Sequence, residues 1–545
     1  MPLKPAQAWF LAFTAVFAVL AGIVFWGTGS PNVAFVAPDD GVLFSRSYRD
    51  TLLNWWNMFA GSGKAHPLDL LWSGLVVSPL FCSELKYVVP VFLSSIALMW
   101  FLRGRGLSRA ASYGAGLFLG FSGYWLTLFS AGHGNWFVWM SYGVFAFGLV
   151  DRAVTRRGLR YWILLGLSVA WASFYMPDVW LLFSVFTAAY LVFCLTRECR
   201  WRKFPIVGTI VSVSVFLLVG APGIYHAFVN DLASRDSQIE QSKGTVLGGG
   251  DRDESESRWI FVTNWSMPPE DTLEFLVPRI HGDTSCPLTL SINRERGIVP
   301  YTGRLGRPVG SREGNYRQHS LYVGFVTCLF AVCGCIGAFR RREDRRTVLF
   351  FACSALMFYL FSLGRYCELV YRCIYSLPFG DYMRAPVKWH HLTEFCIVVL
   401  AGYGIDFVLK TIGNRKLSRW AVLIVVAIGA CNLAYEAHIY CAPVDYSKAV
   451  DMGCSAQLTV ATRQQLMRAS DMIRAGRIVP VAYWLGSREA MLVQILEPLR
   501  PVQSNPIKPL PLCLGVISVL SAIIAVSLSV AEKRGFLHVR PYSVA

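Results

Sequence analysis

The chain is short of charge. Only 16% of its 545 residues are Asp, Glu, Lys or Arg, against about 25% in an average soluble domain. It also lacks a glycine-rich phosphate loop after a strand, a Walker lysine and any zinc-ligand spacing. These absences leave no sign of nucleotide chemistry in the cytoplasm and no zinc motif. No fixed-period repeat is present. The 15 cysteines follow no metal-binding pattern and mostly lie inside apolar runs, where a free Cys acts as a small apolar residue. No small-x-small cleavage site follows the first apolar run, which therefore reads as an uncleaved spanning helix.

What fills the chain instead is hydrophobic: 54% of residues are apolar and 14% aromatic. Twelve apolar runs have spanning length, near 8–28, 84–102, 110–131, 135–151, 161–176, 179–196, 204–228, 320–339, 347–363, 390–409, 420–440 and 510–531. The expected fold is an all-α polytopic membrane protein with about 12 transmembrane helices. Alternate loops are short and basic: "LRGRGLSR", "RAVTRRGLR", "RECRWRK", "RRREDRR" and "KTIGNRKLSR". Short cytoplasmic loops collect Lys and Arg, so both termini are expected in the cytoplasm. This arrangement accounts for much of the net charge of +17 and leaves no reason to expect a nucleic-acid partner.

The core is expected over 1–440, with outer loops 29–83, 229–319 and 364–389. An extracytoplasmic segment, 441–509, follows it, then a last span and cytoplasmic tail, 510–545. The start of 229–319 is polar and acidic and reads as a loop without a core. In 441–509, "RQQLMRASDMIRAG" has helical spacing while "RIVPVAYWL" and "AMLVQIL" read as strands. This segment is expected to be a small α+β unit.

Several polar groups face the outer side in this topology. Asp39 and Asp40 leave the first span in "APDDG". They read either as a solvated turn or as a general base that takes a proton from an acceptor hydroxyl or coordinates a cation. His133 and Asn135 sit in the tight turn "AGHGN", and Asp178 is the only charge in the hairpin broken at Pro177. Glu270, Asp271 and Glu274 load the first turn of a short amphipathic helix after Pro268-Pro269, where acids suit the helix dipole. Ser266 is a possible cap for it, and Leu273, Phe275, Leu276 and Val277 form an apolar face for the membrane surface. Asn264-Trp265-Ser266 also matches a glycosylation sequon. Arg384, Lys388, His390 and His391 form a basic group beside a span. They call for an anionic partner such as a lipid phosphate, or else anchor headgroups. If the outer side is oxidising, Cys441 and Cys454, or Cys367 and Cys373, are possible disulfide pairs.

Taken in order, "RGLSRAASYGAGLFLGFSGYWLTLFSAGHGN", "GAPGIYHAFVNDLASR", "SMPPEDTLEFLVPRIHG", "SLYVGFVTCLFAV" and "YSLPFGDYMRAPVKWHHLTEFCIVVLAGYGIDFVL" resemble segments of the bacterial YfhO family of membrane proteins. The likeness covers roughly residues 35–410. It implies a multi-helix GT-C-type glycosyltransferase fold in the bacterial cytoplasmic membrane. The implied activity moves a sugar from a polyprenyl-phosphate carrier to an envelope glycan, lipid or protein acceptor on the outer face. Asp39 or Asp40 takes the place of the expected base. Arg384 and Lys388 would hold the carrier phosphate, with Glu270 at the family's acidic position and His133, Asn135 and Asp178 as further substrate contacts. No metal ligands are assigned; a divalent cation is compatible. The chain departs from the family at Met176-Pro177, where His-Pro is common. A lipid-linked-glycan transporter or flippase and a non-catalytic envelope-assembly protein are the alternative functions.

The charge asymmetry generates a test. With intact cells, a membrane-impermeant thiol reagent should label a Cys placed at position 40 and spare one placed in 341–346. Labelling of 341–346 alone would invert the topology.

Overall fold

A computed structural model describes residues 5–24, 34–36, 79–124, 134–156, 158–173, 177–197, 203–226, 254–278, 280–281, 304, 320–340, 342–377, 380, 383–412, 416–441 and 478–480. Its main helices are α1 (Pro5–Val24), α2 (Pro79–Gly104), α3 (Arg109–Phe121), α4 (Gly134–Arg156), α5 (Leu159–Ala172), α6 (Pro177–Arg197) and α7 (Lys203–His226). They continue with α8 (Glu254–Val262), α9 (Phe325–Arg340), α10 (Arg342–Ser362), α11 (Glu368–Tyr375), α12 (His390–Thr411) and α13 (Lys416–Cys441). Among the described residues, 3₁₀ turns lie between them at Pro269–Phe275, Gly364–Cys367 and Pro386–Trp389.

Helices occupy the first eleven expected spans, and 510–531 lies outside the described residues. Among the described residues, five helical stretches are long and apolar enough to cross a membrane: Ala6–Val24, Val179–Arg197, Asp344–Ser362, Pro386–Thr411 and Arg419–Glu436. The chain is thus a helical protein built for a membrane. The only strands among the described residues are β1 (Ala34–Val36) and β2 (Ile478–Pro480), paired in parallel. The second falls in the expected strand "RIVPVAYWL".

Some expectations change. The run 110–131 does not continue as one helix: α3 stops at Phe121, because Ser122 turns extended (ψ 146°). The acidic stretch after residue 250 becomes helical in α8. Its apolar residues, among them Trp259 and Val262, pack onto the core. Pro177 opens α6, a position where its missing N–H costs nothing.

α12 is the axis of the bundle. From His390 to Asp406 it is buried at every position except Ile397, and it packs against α3, α9 and α10. Small residues permit the tightest of these crossings. A Cβ added at Gly404 would lie 1.7 Å from the Phe330 carbonyl oxygen, and one at Gly334 would lie 2.3 Å from that of Leu400. Close backbone approach of this kind is how apolar helices gain packing where no hydrophobic drive separates protein from lipid. Aromatic rings fill the other side of the axis, where Phe395 meets Phe147, Phe183, Phe186 and Phe351.

The loops segregate to two ends. At one end, Arg105 bonds Asp151 and Thr347, Arg197 bonds Thr347, and the Ser108 amide, at the α3 N-cap, donates to Asp406. This is the arginine-rich end. α1 runs away from it, since Trp9 meets Tyr113 near the start of α3 and Phe17 meets Phe121 at its finish.

Gly404→Leu should abolish the α9–α12 crossing. Overpacking typically costs about 1–3 kcal/mol, and here backbone is struck. The melting temperature in detergent should fall sharply, whereas Gly22→Ala, with nothing within 4 Å, should leave it unchanged.

Candidate functional site

The end opposite the arginines is made of irregular backbone. Unpaired amides and carbonyls are costly in apolar surroundings, and here they are paired across segments far apart in sequence. Gly123 N–H donates to the Tyr322 carbonyl, and Gly324 N–H to that of Phe275. Met267 N–H donates to the Ser362 carbonyl, Ala385 N–H to that of Val262, and Val387 N–H to that of Trp265. The segment 262–275 is thus clamped between 320–324, 362–366 and 383–389. Arg365 completes the clamp, donating to the Thr263 and Asn264 carbonyls at 3.1 and 2.6 Å. Its own N–H donates to Ser266 Oγ at 2.9 Å.

Gly364 is required at this junction. Its φ is +50°, and an added Cβ would lie 2.1 Å from Ser266 Oγ. Ala385 also has positive φ, +67°, despite preceding a proline. That backbone is disfavoured for alanine and doubly so before Pro386. The surrounding hydrogen bonds hold it, and strain held in this way concentrates at functional sites.

Beneath the clamp lies a buried polar group in which Glu394, unnoticed in the sequence, joins the two histidines. His390, His391 and Glu394, on the first turns of α12, are each 0% exposed. The Ser122 hydroxyl and the Tyr124 backbone amide face the Glu394 carboxylate, though neither carboxylate oxygen makes a regular hydrogen bond. The Tyr124 ring lies 4.5 Å from His391 and 5.0 Å from His390, and Phe275 lies 4.5 Å from His390. The histidines therefore do not share a surface with Arg384 and Lys388, as expected from their adjacency. The first helical turn points them into the bundle, while the two cations stay half-buried at the rim. The signal was available: Glu394 follows His390 by four residues, which puts both on one helix face.

Above the clamp, Glu270 receives two hydrogen bonds from Arg304, at 2.6 and 2.7 Å. Those bonds hold its carboxyl below the usual carboxylate range and raise the Arg304 guanidinium. Arg304 also lies over the Tyr366 ring, 4.6 Å from its centroid, and burial pushes the Tyr366 phenol up. His281 Nε2 reaches the Glu270 carbonyl at 3.0 Å and lies 3.9 Å from Asp271. Arg384 sits over Phe261 at 4.5 Å. Leu273, Leu276 and Val277 are 54%, 40% and 51% exposed, whereas Phe275 is buried at 7%. Three of the four expected face residues are thus exposed, while Phe275 turns inward, on a 3₁₀ turn whose N-cap position is Pro268 rather than Ser266 and has no side-chain cap.

The sequon is ruled out as a glycan acceptor in this fold, because Asn264 is only 5% exposed. Cys367 and Cys373 are free thiols; Cys373 donates back along its own helix to the Leu369 carbonyl. Cys454 lies outside the described residues, as do Asp39, Asp40 and His133, while Asn135 and Asp178 are described only as backbone, in the first turns of α4 and α6. Among the described residues, no cluster of His, Cys, Asp and Glu is arranged to hold a metal ion.

No protein-family model matches the chain, and neither curated proteins nor solved structures give a significant match.

The Glu270–Arg304 pair carries a signed pH dependence. A carboxyl whose pKa is lowered by folding stabilises the fold above its unfolded value, about 4.3, and loses that stabilisation as pH falls through the folded value. Both partners are partly exposed (35% and 54%), so the effect is small, within about 1 kcal/mol. Glu270→Gln should melt lower than the parent at pH 7, and the difference should vanish at pH 3.

Proposed function

We propose that the chain is a membrane glycosyltransferase that works at the end opposite its arginine-rich loops. One observation carries this reading. Four motifs from the segments quoted for the YfhO resemblance, "FSG", "SMPP", "SLYVG" and "RAPVKWHH", are scattered between residues 121 and 391 yet meet in one hydrogen-bonded knot. Motifs that converge on a strained, cation-bearing turn have the character of a site and not merely of a set of helix ends.

In this reading the fold is GT-C-like, the membrane is the bacterial cytoplasmic membrane and the working end is extracytoplasmic. Asp39 or Asp40 accepts the proton of an acceptor hydroxyl. The hydroxyl oxygen forms a bond to the anomeric carbon as the bond from that carbon to the polyprenyl-phosphate oxygen breaks. The departing phosphate keeps the electron pair, and Arg384 and Lys388 stabilise its charge, the larger electrostatic contribution. Base catalysis adds roughly 10²–10⁴-fold. The exposed Leu273, Leu276 and Val277 seat the working end in the headgroup layer, where a polyprenyl carrier presents its phosphate. Glu270, already matched to Arg304, shapes the rim.

A second reading, a lipid-linked-glycan transporter, is favoured by the fully buried His390, His391 and Glu394. An ionisable group inside a span marks a functional pathway by default.

The test uses the purified full-length chain in vesicles with a polyprenyl-phosphate sugar. Transfer should fall at least about 100-fold in Asp39→Asn or Asp40→Asn and comparably in Arg384→Ala. Full transfer in both aspartate variants would sink the base assignment. Flipping of the carrier without transfer, lost in Glu394→Gln, would establish the second reading.

A further inference from the structure

We propose that Glu394 is a positioning residue for the rim cations: by holding the chain where it leaves α3, it fixes the turn that carries Arg384 and Lys388. The proposal deepens the reading above and rests on the phosphate role given there to those two cations.

The route starts where α3 stops, at Ser122. An amide that leaves helical geometry inside an apolar bundle needs a new acceptor. Gly123 N–H finds the Tyr322 carbonyl at 2.9 Å. An added Cβ at Gly123 would lie 2.7 Å from the same oxygen, so the exit is pressed against 320–324. The next amide, that of Tyr124, faces the Glu394 carboxyl, and so does the Ser122 hydroxyl. Ser122 and Glu394 are 0% exposed and Tyr124 is 1% exposed. Sealed in this way, the exit takes its acceptor from α12.

The route continues through the Tyr124 side chain. Its ring packs on His391 and His390, at 4.5 and 5.0 Å, on the same first turns of α12 as Glu394. Its hydroxyl donates to the Val387 carbonyl at 3.4 Å. Val387 lies in the turn between Arg384 and Lys388, just after the strained Ala385 and Pro386. Other bonds to this turn come from 262–265 and from α11. The Val262 and Trp265 carbonyls accept from Ala385 and Val387 N–H, and the Tyr371 hydroxyl donates to the Met383 carbonyl at 3.2 Å. Tyr124 adds the grip from the exit of α3, and Glu394 anchors that grip.

The chemistry required at position 394 follows. The side chain must accept from an N–H and partner a hydroxyl at one place. A carboxyl or a carboxamide meets both demands, because the hydroxyl can donate or accept. Leucine meets neither and leaves a buried amide unpaired. The position is therefore polar for geometry and not for net charge. This separates it from a proton pathway, which requires an ionisable group.

The experiment uses the purified full-length chain in vesicles and two readouts. Hydrogen exchange of peptides covering 383–389 reports on the turn whatever it binds. Glu394→Leu should speed exchange there at least about tenfold, and Tyr124→Phe by a smaller factor, while peptides from 396–406 keep the parent rate. Glu394→Gln should match the parent. The second readout is the dissociation constant of a polyprenyl monophosphate. Glu394→Leu should weaken binding about tenfold, yet add nothing to a variant that already carries Arg384→Ala and Lys388→Ala, because residues acting through one another are not additive. Unchanged exchange at 383–389 in Glu394→Leu, or exchange raised equally throughout α12, would overturn the positioning role. So would full additivity with the cation variant, or a Glu394→Gln variant as disrupted as Glu394→Leu, which would assign the residue to charge. Binding indifferent to the loss of both cations would sink the phosphate role alone, and exchange would still decide the role of Glu394. Should Glu394→Leu fail to fold, Tyr124→Phe and Glu394→Gln decide: parent-like exchange at 383–389 in Tyr124→Phe would overturn the proposal.

Discussion

A backbone that leaves helical geometry inside apolar surroundings must find partners for its amides and carbonyls. That single requirement organises the end of the molecule opposite the arginines. Five stretches break from helix there, around residues 123, 266, 322, 364 and 386, and each is paired by at least one of the others. Remove one and its neighbours lose their partners at a cost of several kcal/mol per group in a hydrocarbon setting. The knot is therefore cooperative, and its two positive-φ positions, Gly364 and Ala385, are consequences of closing it.

The knot also sets the chemistry on either side of it. Below it, α12 starts with His390, His391 and Glu394 directed into the bundle. Above it, Arg384 and Lys388 remain at the rim, on a turn whose backbone is held rather than floppy. A cation positioned by a rigid turn loses less freedom on meeting an anion than one on a free loop, which is the general advantage of preorganisation. The Glu270–Arg304 pair and the Leu273–Val277 strip belong to the same upper surface. Charge and apolar area there lie side by side, as they do in an amphiphilic substrate.

The helical skeleton was legible in the sequence because a span must be long and apolar whatever it packs against. Pro177 and the basic loops were legible for similarly local reasons. The break at Ser122 was not read from the sequence; there the backbone turns extended and the next residue, Gly123, donates to the distant Tyr322 carbonyl. Asn264-Trp265-Ser266 satisfies a surface motif and yet is buried, because the Asn264 carbonyl and the Ser266 hydroxyl accept from Arg365 and the Trp265 carbonyl accepts from Val387 N–H. His390 and His391 looked continuous with Arg384 and Lys388, and a change from 3₁₀ turn to α-helix at His390 turned them inward.

Hydropathy, loop charge and spacing alone determined that this is a helical membrane chain and where its described helices lie. Those properties are additive along the chain, so they can be read residue by residue. Which polar residues meet, which are sealed inside and which stay at the rim was decided only in three dimensions. Such contacts join residues more than two hundred positions apart, as Tyr124 joins Val387, and no local pattern records a partner chosen by the closing of the fold.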